Sequence, residues 1–146
     1  MEFEGTFETS ASRDTVFNFV MEPEKLSSCI PGLKKFEKLS QDEFSVIVRA
    51  GIAFIKEDFT IRFKVLESRP PEYAKLSGTG SGKSGTLDIV AEMNLSGEAG
   101  KTIMKWRATA NVGGKIGSMG QRLITGQAQK IINEMFDGIR SALSGN

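Results

Sequence analysis

At 146 residues, with 39% hydrophobic and 25% charged side chains, the chain has the size and composition of one globular domain, expected over residues 1–146, and is neither a disordered segment nor a coiled coil. Its net charge of +1 comes from 19 basic and 18 acidic residues spread along the chain, which excludes the basic stripe that a nucleic-acid partner requires. The absence of histidine and the single cysteine, Cys29, remove serine-type triads, internal disulfides and most zinc sites,, so no metal site and no cofactor of its own are expected.

The N-terminus alternates, with Phe3, Gly5 and Phe7 on one side and Glu2, Glu4, Thr6 and Glu8 on the other. A period of two predicts a half-buried strand rather than the apolar centre of a signal peptide. With no apolar run near the ~18 residues of a membrane span, the expected location is cytoplasmic. Next, SASRDTVFNFV changes period: Ser12 is placed to cap a helix whose face carries Val16, Phe17 and Val20,. Pro23 opens a second short helix, PEKLSSC, which stops at the breaker pair Pro31-Gly32,.

Residues 33–113 read as six strands. KKFEKL is followed by EFSVIVRA, where Phe44, Val46, Val48 and Ala50 share a face. In IKEDFTIRFKVLE the shared face carries Phe59, Ile61, Phe63 and Val65. After Pro70-Pro71 comes EYAKLSG, then a glycine-rich stretch expected to be a hairpin turn. TLDIVAEMNL alternates strictly through Leu87, Ile89, Ala91, Met93 and Leu95, and a turn is expected at 97–100. KTIMKWRATANV, with Met104, Trp106, Ala108 and Ala110 on its apolar side, ends the series. Beyond Gly113-Gly114 the period becomes about 3.6 for nearly 30 residues. One stripe carries Met119, Leu123, Ala128, Ile131, Met135, Ile139 and Ala142, widened by Ile116, Ile132, Phe136 and Leu143,. This predicts a long C-terminal helix, weakened by Gly117, Gly120 and Gly126 at roughly 1 kcal/mol each relative to Ala.

Burial sets the architecture: a curved antiparallel sheet has one apolar face, and only the last helix is long enough to cover it. A single helix ~10–12 Å wide cannot fill a broad concave face, so an internal apolar cavity is expected.

The stretch SGTGSGKSGT at 77–86 invites a phosphate-loop reading through Gly82-Lys83-Ser84. Two features oppose it: Ser77 stands where the first glycine of GxxxxGK[ST] belongs, and a strand follows where a helix N-terminus is needed,.

IPGLKKFE at 30–37, FTIRFKVLESRPPEYAKLSGTGSGKSG, and VGGKIGSMGQRLI at 112–124 are similar to the carbon monoxide dehydrogenase G-subunit family, within the START-like, helix-grip superfamily. The resemblance runs from Phe3 to about Leu143. It implies an α+β fold in which a seven-stranded curved antiparallel sheet wraps the long C-terminal helix, with two short helices after the first strand and a hydrophobic pocket between. It also implies a non-enzymatic accessory to a molybdenum-containing carbon monoxide dehydrogenase, acting at the inner face of the cytoplasmic membrane and handling a lipid- or quinone-like molecule. The other reading is a polyketide cyclase- or hydrolase-like enzyme using the same pocket, which requires an inward acid, base or oxyanion donor.

The pocket candidates are Phe44, Val46, Val48, Phe59, Ile61, Phe63, Leu76, Leu87, Ile89, Met104, Trp106, Met119, Leu123 and Ile131, each of which is equally a core residue,. Arg49, Asp58, Arg107 and Tyr73 could orient a polar head group, but alternation puts most of them outside. Lys83, Lys115, Gln121 and Arg122 are candidates for a gate or partner contact, or are solvated flank residues. Cys29, with no His to activate it, is expected to be a small buried side chain. Glu57 and Asp58, adjacent on a strand, point to opposite faces and cannot act as a pair; no catalytic group is expected to point inward.

Overall fold

The computed structural model describes residues 1–98 and 100–144. The expected turn at 97–100 includes Ala99, which lies outside the described residues, as do the last two residues of the expected domain. Strand β1 (Glu2–Thr9) is followed by α1 (Arg13–Val20) and α2 (Pro23–Ser27). Six strands come next: β2 (Leu33–Lys38), β3 (Glu43–Ile52), β4 (Ile55–Arg69), β5 (Tyr73–Gly82), β6 (Gly85–Glu98) and β7 (Lys101–Gly113). Two helices, α3 (Gly114–Gly117) and α4 (Gln121–Leu143), end the chain.

Both short helices start where the sequence places them. The Ser12 side chain accepts the Thr15 N–H at 3.2 Å, and Pro23 occupies the first turn of α2, where its missing N–H has no intrahelical partner to lose,. The sheet has seven strands in the order β1-β7-β6-β5-β4-β3-β2, all antiparallel. Strands β2 to β7 form a meander, because short turns join neighbours. Strand β1 pairs with the last strand, so α1 and α2 carry the chain from one edge of the sheet to the other.

Two expectations change. The glycine-rich stretch is mostly strand: β5 runs to Gly82 and β6 starts at Gly85, leaving a two-residue turn, Lys83-Ser84. The glycines at 78, 80 and 82 alternate onto the inner face. A Cβ at Gly78 would lie 2.7 Å from the Phe63 ring and one at Gly80 2.9 Å from Ile61. Their glycine character is therefore steric, since it lets the large side chains of β4 lie across β5. The C-terminal helix is also two helices. Helix α3 ends at Gly117 with Ser118 as its C-cap, and Gly120, at φ 102, is the N-cap where α4 begins on a new turn,. The expected 3.6-residue pattern persists across the break, which is why the sequence reads as one helix.

Glu57 is the residue that alternation should have flagged. With Phe59, Ile61 and Phe63 facing in, position 57 faces in as well, and Glu57 is 8% exposed. Its carboxylate accepts the Ser84 N–H at 2.8 Å, and the Ser84 C=O accepts the Ile116 N–H at 2.8 Å. The acid thus ties the β5–β6 turn, and α3 behind it, to β4. The Ser84 hydroxyl and N–H hold its carboxyl below the ordinary value of 4.5. A folded value below the unfolded one contributes stability above about pH 4.5 that fades as pH falls through the folded value. Glu57→Gln is therefore expected to lower the melting temperature at pH 7, with the gap to the parent narrowing below about pH 4.5. Thermal unfolding of both proteins across that range measures it; a gap that stays constant with pH overturns this role.

Candidate functional site: an apolar pocket between sheet and helix

The buried apolar side chains form two clusters instead of one contiguous core, the usual arrangement for a domain of this size. The first joins Phe7, Val16, Phe17, Ala74, Met93, Leu95, Met104 and Ile139. The second joins Phe44, Val46, Val48 and Ile61, with Phe59, Phe63, Leu76 and Leu87 packed on it. On α4 only Ile124 and Ile139 are buried. Between them, Ala128, Ile131, Ile132, Met135 and Phe136 are only partly buried, although they continue the apolar stripe. The helix is closed against the sheet near its two ends and not along its middle.

An apolar pocket of about 230 Å³ occupies that region. Its floor is the sheet: Phe44, Val65, Ala74, Leu76, Ala91, Met93, Met104, Trp106 and Ala108. Its roof is Ile132, Met135, Phe136 and Ile139 of α4, and Val20, Met21, Pro23 and Leu26 close one side. Ala91 and Ala108 are direct partners in the β6–β7 ladder. Two methyl-sized side chains opposite each other on the inner face leave room that Leu or Phe would fill. Trp106 stacks on Phe136, ring centroids 5.3 Å apart, and lies over Gly5, where a Cβ would be 2.9 Å from its ring. This stacking holds the large indole against β1 and away from the centre of the space.

Four of the expected lining residues, Phe44, Leu76, Met104 and Trp106, stand together on the wall. Val46, Val48, Phe59, Ile61, Phe63 and Leu87 belong to the second cluster, as Phe44 and Leu76 also do, but are not part of the wall. Ile89 is partly buried on β6, and Ile131 is partly buried beside the wall residue Ile132. Met119 sits in the turn before α4. Leu123 is 44% exposed, and the inward position at the start of α4 belongs to Ile124, 6% exposed, which lies four residues before Ala128 on the same helical stripe,. Lys83, Lys115, Gln121 and Arg122 are all exposed at the end of the sheet formed by the β5–β6 turn, α3 and the start of α4. None of them lines the pocket.

Residues of α1 and α2 and the paired alanines were absent from the sequence-based set. The first come from an element far away in the chain. The second had a signal, small residues on a strictly alternating apolar face.

The wall carries little chemistry. Lys75, Glu92 and Arg107 alternate with the inward residues Ala74, Leu76, Ala91, Met93, Trp106 and Ala108, so their side chains stand on the outer face, where Glu92 accepts the Tyr73 hydroxyl at 2.7 Å,. Arg49 and Asp58 pair with each other at 3.2 Å on the outer face. Cys29 is partly buried against the first cluster. Burial pushes its thiol up, against a smaller opposing effect of Ser28, and a thiol held protonated is a poor nucleophile. Among the described residues no group of three or more Cys, Asp or Glu side chains could hold a metal ion, and no helix is long and apolar enough to cross a membrane.

The chain is similar in structure to a conserved protein from Geobacillus kaustophilus, with a TM-score of 0.92 and 28% identity over 99% of this chain and 95% of that one. A START superfamily protein from Mycobacterium smegmatis aligns with a TM-score of 0.73 and 12% identity, covering 97% and 96%. The protein Ara h 8.0201 aligns with a TM-score of 0.72 and 14% identity, covering 100% and 99%. These last two likenesses establish a START-like fold. A search of curated proteins finds no match. The sequence profile of the carbon monoxide dehydrogenase G-subunit family (CoxG) matches residues 5–144, so the pocket, both C-terminal helices and all of the strands but the first residues of β1 fall within the match and the chain belongs to the CoxG family.

Proposed function

We propose that the protein holds a hydrophobic small molecule, lipid- or quinone-like, in the pocket between the sheet and α4. It does so as a non-enzymatic accessory to a molybdenum-containing carbon monoxide dehydrogenase, at the inner face of the cytoplasmic membrane. The observation that carries the binding role is the divided core: an apolar pocket of about 230 Å³ separates the stripe of α4 from paired alanines. An apolar space of ~150 Å³ suffices for a benzene ring, so this one has room for a substituted ring or a length of acyl chain. The apolar wall, from which Lys75, Glu92 and Arg107 alternate to the outer face, supports binding over acid–base catalysis,. The family membership supports the dehydrogenase as partner.

The protein's only tryptophan is on the pocket wall, which supplies a direct readout, because a quinone in contact with an indole quenches its fluorescence. Titration with decylubiquinone is expected to quench Trp106 saturably and raise the melting temperature, and native mass spectrometry of protein from its own host should retain an apolar adduct. Repeated recovery of empty protein, with neither quenching nor a thermal shift from quinones or fatty acids, overturns the reading.

A further inference from the structure

Strands β3 and β4 are joined by a two-residue turn, Ala53-Phe54, between the paired residues Ile52 and Ile55. Tight hairpins of this length favour Asn, Asp and Gly, which tolerate positive φ and prefer water. Here the first turn residue is Ala53 at φ 55, and the second, Phe54, is 82% exposed, well above any other large hydrophobic side chain described. The other short turn at the same end, Lys83-Ser84, is polar. Local backbone strain combined with a solvated phenyl ring is costly for a free protein in water, and such departures from local preference concentrate at functional positions.

The charges around this turn are also uneven. The sheet register places the β3–β4 turn, the β5–β6 turn and α3 at one end of the molecule. Arg49, Lys56, Lys83, Lys115 and Arg122 stand on those turns, on α3, on the first turn of α4 or within four residues of them, against three carboxylates, Glu57, Asp58 and Asp88. Two of the three carboxylates are engaged: Glu57 by the Ser84 N–H, and Asp58 by Lys34 at 2.8 Å and Arg49 at 3.2 Å. Lys56, Lys83, Lys115 and Arg122 make no ion pair among the described residues. The chain as a whole carries only +1, so the positive charge is concentrated where the exposed ring is.

We infer that this end of the sheet docks on an anionic phospholipid surface, with Phe54 entering the headgroup–acyl boundary and Lys56, Lys83, Lys115 and Arg122 facing the phosphates. One protruding ring on a narrow turn suits a fluid interface that closes around it, whereas a protein partner needs a broader complementary patch. Each basic residue near an anionic surface strengthens binding by about fivefold, and four together supply attraction that one Phe alone does not. The inference rests on the membrane location proposed above for its setting, and on Phe54 and the uneven charge for its support.

Co-sedimentation of the purified full chain with vesicles tests it. The parent protein is expected to bind phosphatidylcholine vesicles containing phosphatidylglycerol, to leave pure phosphatidylcholine vesicles unbound, and to dissociate at high salt. Phe54→Ser is expected to lower the partition coefficient at least about tenfold, and Lys83→Gln with Lys115→Gln by about tenfold or more. Both variants should keep the parent's circular dichroism and its quinone quenching of Trp106, because neither position lines the pocket. Failure of the parent to bind, equal binding to both vesicle types, or variants that bind as the parent does would each overturn the inference. Loss of quinone quenching in a parent protein that still binds vesicles would overturn the pocket reading alone.

Discussion

Ala108→Phe is expected to abolish quinone quenching of Trp106, raising the apparent Kd by about 100-fold or more, while leaving the fold intact. Ala108 lies on the inner face of β7, opposite Ala91, on the floor of the pocket. A benzyl group there takes up much of a space of about 230 Å³, given that ~150 Å³ accommodates a benzene ring. Adding bulk to a filled core typically costs ~1–3 kcal/mol through strain. Here the added ring enters space that no side chain occupies and gains contacts with Met135 and Phe136. Stability is therefore expected to change by less than about 1 kcal/mol. Ala91→Phe should behave likewise, since it enters from the paired position. Fluorescence titration and urea unfolding together separate the possibilities. A variant that still binds as the parent does would show that the ligand sits elsewhere, and a large loss of stability would show that the floor is already packed.

Gly32→Ala is expected to be the most damaging single-methyl addition, destabilising by about 2–3 kcal/mol or more. Gly32 has φ 81, and a Cβ there would lie 2.2 Å from the Arg49 carbonyl oxygen. Both atoms are fixed by the backbone, and the Gly32 C=O accepts the Arg49 N–H at 2.8 Å. The clash therefore cannot be relieved by rotating a side chain. Either the chain moves away from β3 and loses that bond, or the residue takes a strained conformation. For a chain of this length such a loss lowers the melting temperature by roughly 5–10 °C. A melting temperature within a degree of the parent's would show that the Pro31-Gly32 turn relaxes freely. The control is Gly97→Ala, where no atom lies within 4 Å of the added methyl, and little change is expected.

Element order was legible because each element carries its own period. The strict alternation of Leu87, Ile89, Ala91, Met93 and Leu95 places all five on one face of β6, and the Ser12 cap is formed as its position implied. The pocket was legible only in part. Val46, Val48 and Ile61 satisfy the same alternation as Phe44, Leu76 and Met104, yet only the last three reach the pocket wall, Phe44 and Met104 while also part of the core. Alternation reports which face a side chain occupies and says nothing of what stands opposite. That depends on where α4 crosses the sheet, and α4 starts afresh at Gln121 after Gly120 turns the chain. The inward position at the start of α4 is Ile124, four residues before Ala128 on the same stripe, and Leu123, five residues before it, falls off that stripe and is exposed,. Glu57 was legible in principle. Its inward direction follows from Phe59 and Ile61, and only its partner, the Ser84 N–H, required the fold.

By itself the sequence determines the class of fold and the family: local periodicity, caps and breakers are properties of short segments, and the family motifs at 30–37 and 112–124 are read without coordinates. Tertiary structure decided the rest. The division of the core into two clusters, the pairing of Ala91 with Ala108, the closure of one pocket side by α1 and α2, and the gathering at one end of Phe54 with four cations that make no ion pair among the described residues all join residues distant in the chain. Their distances are set by strand register and helix placement. Periodicity constrains direction, and only packing converts direction into proximity.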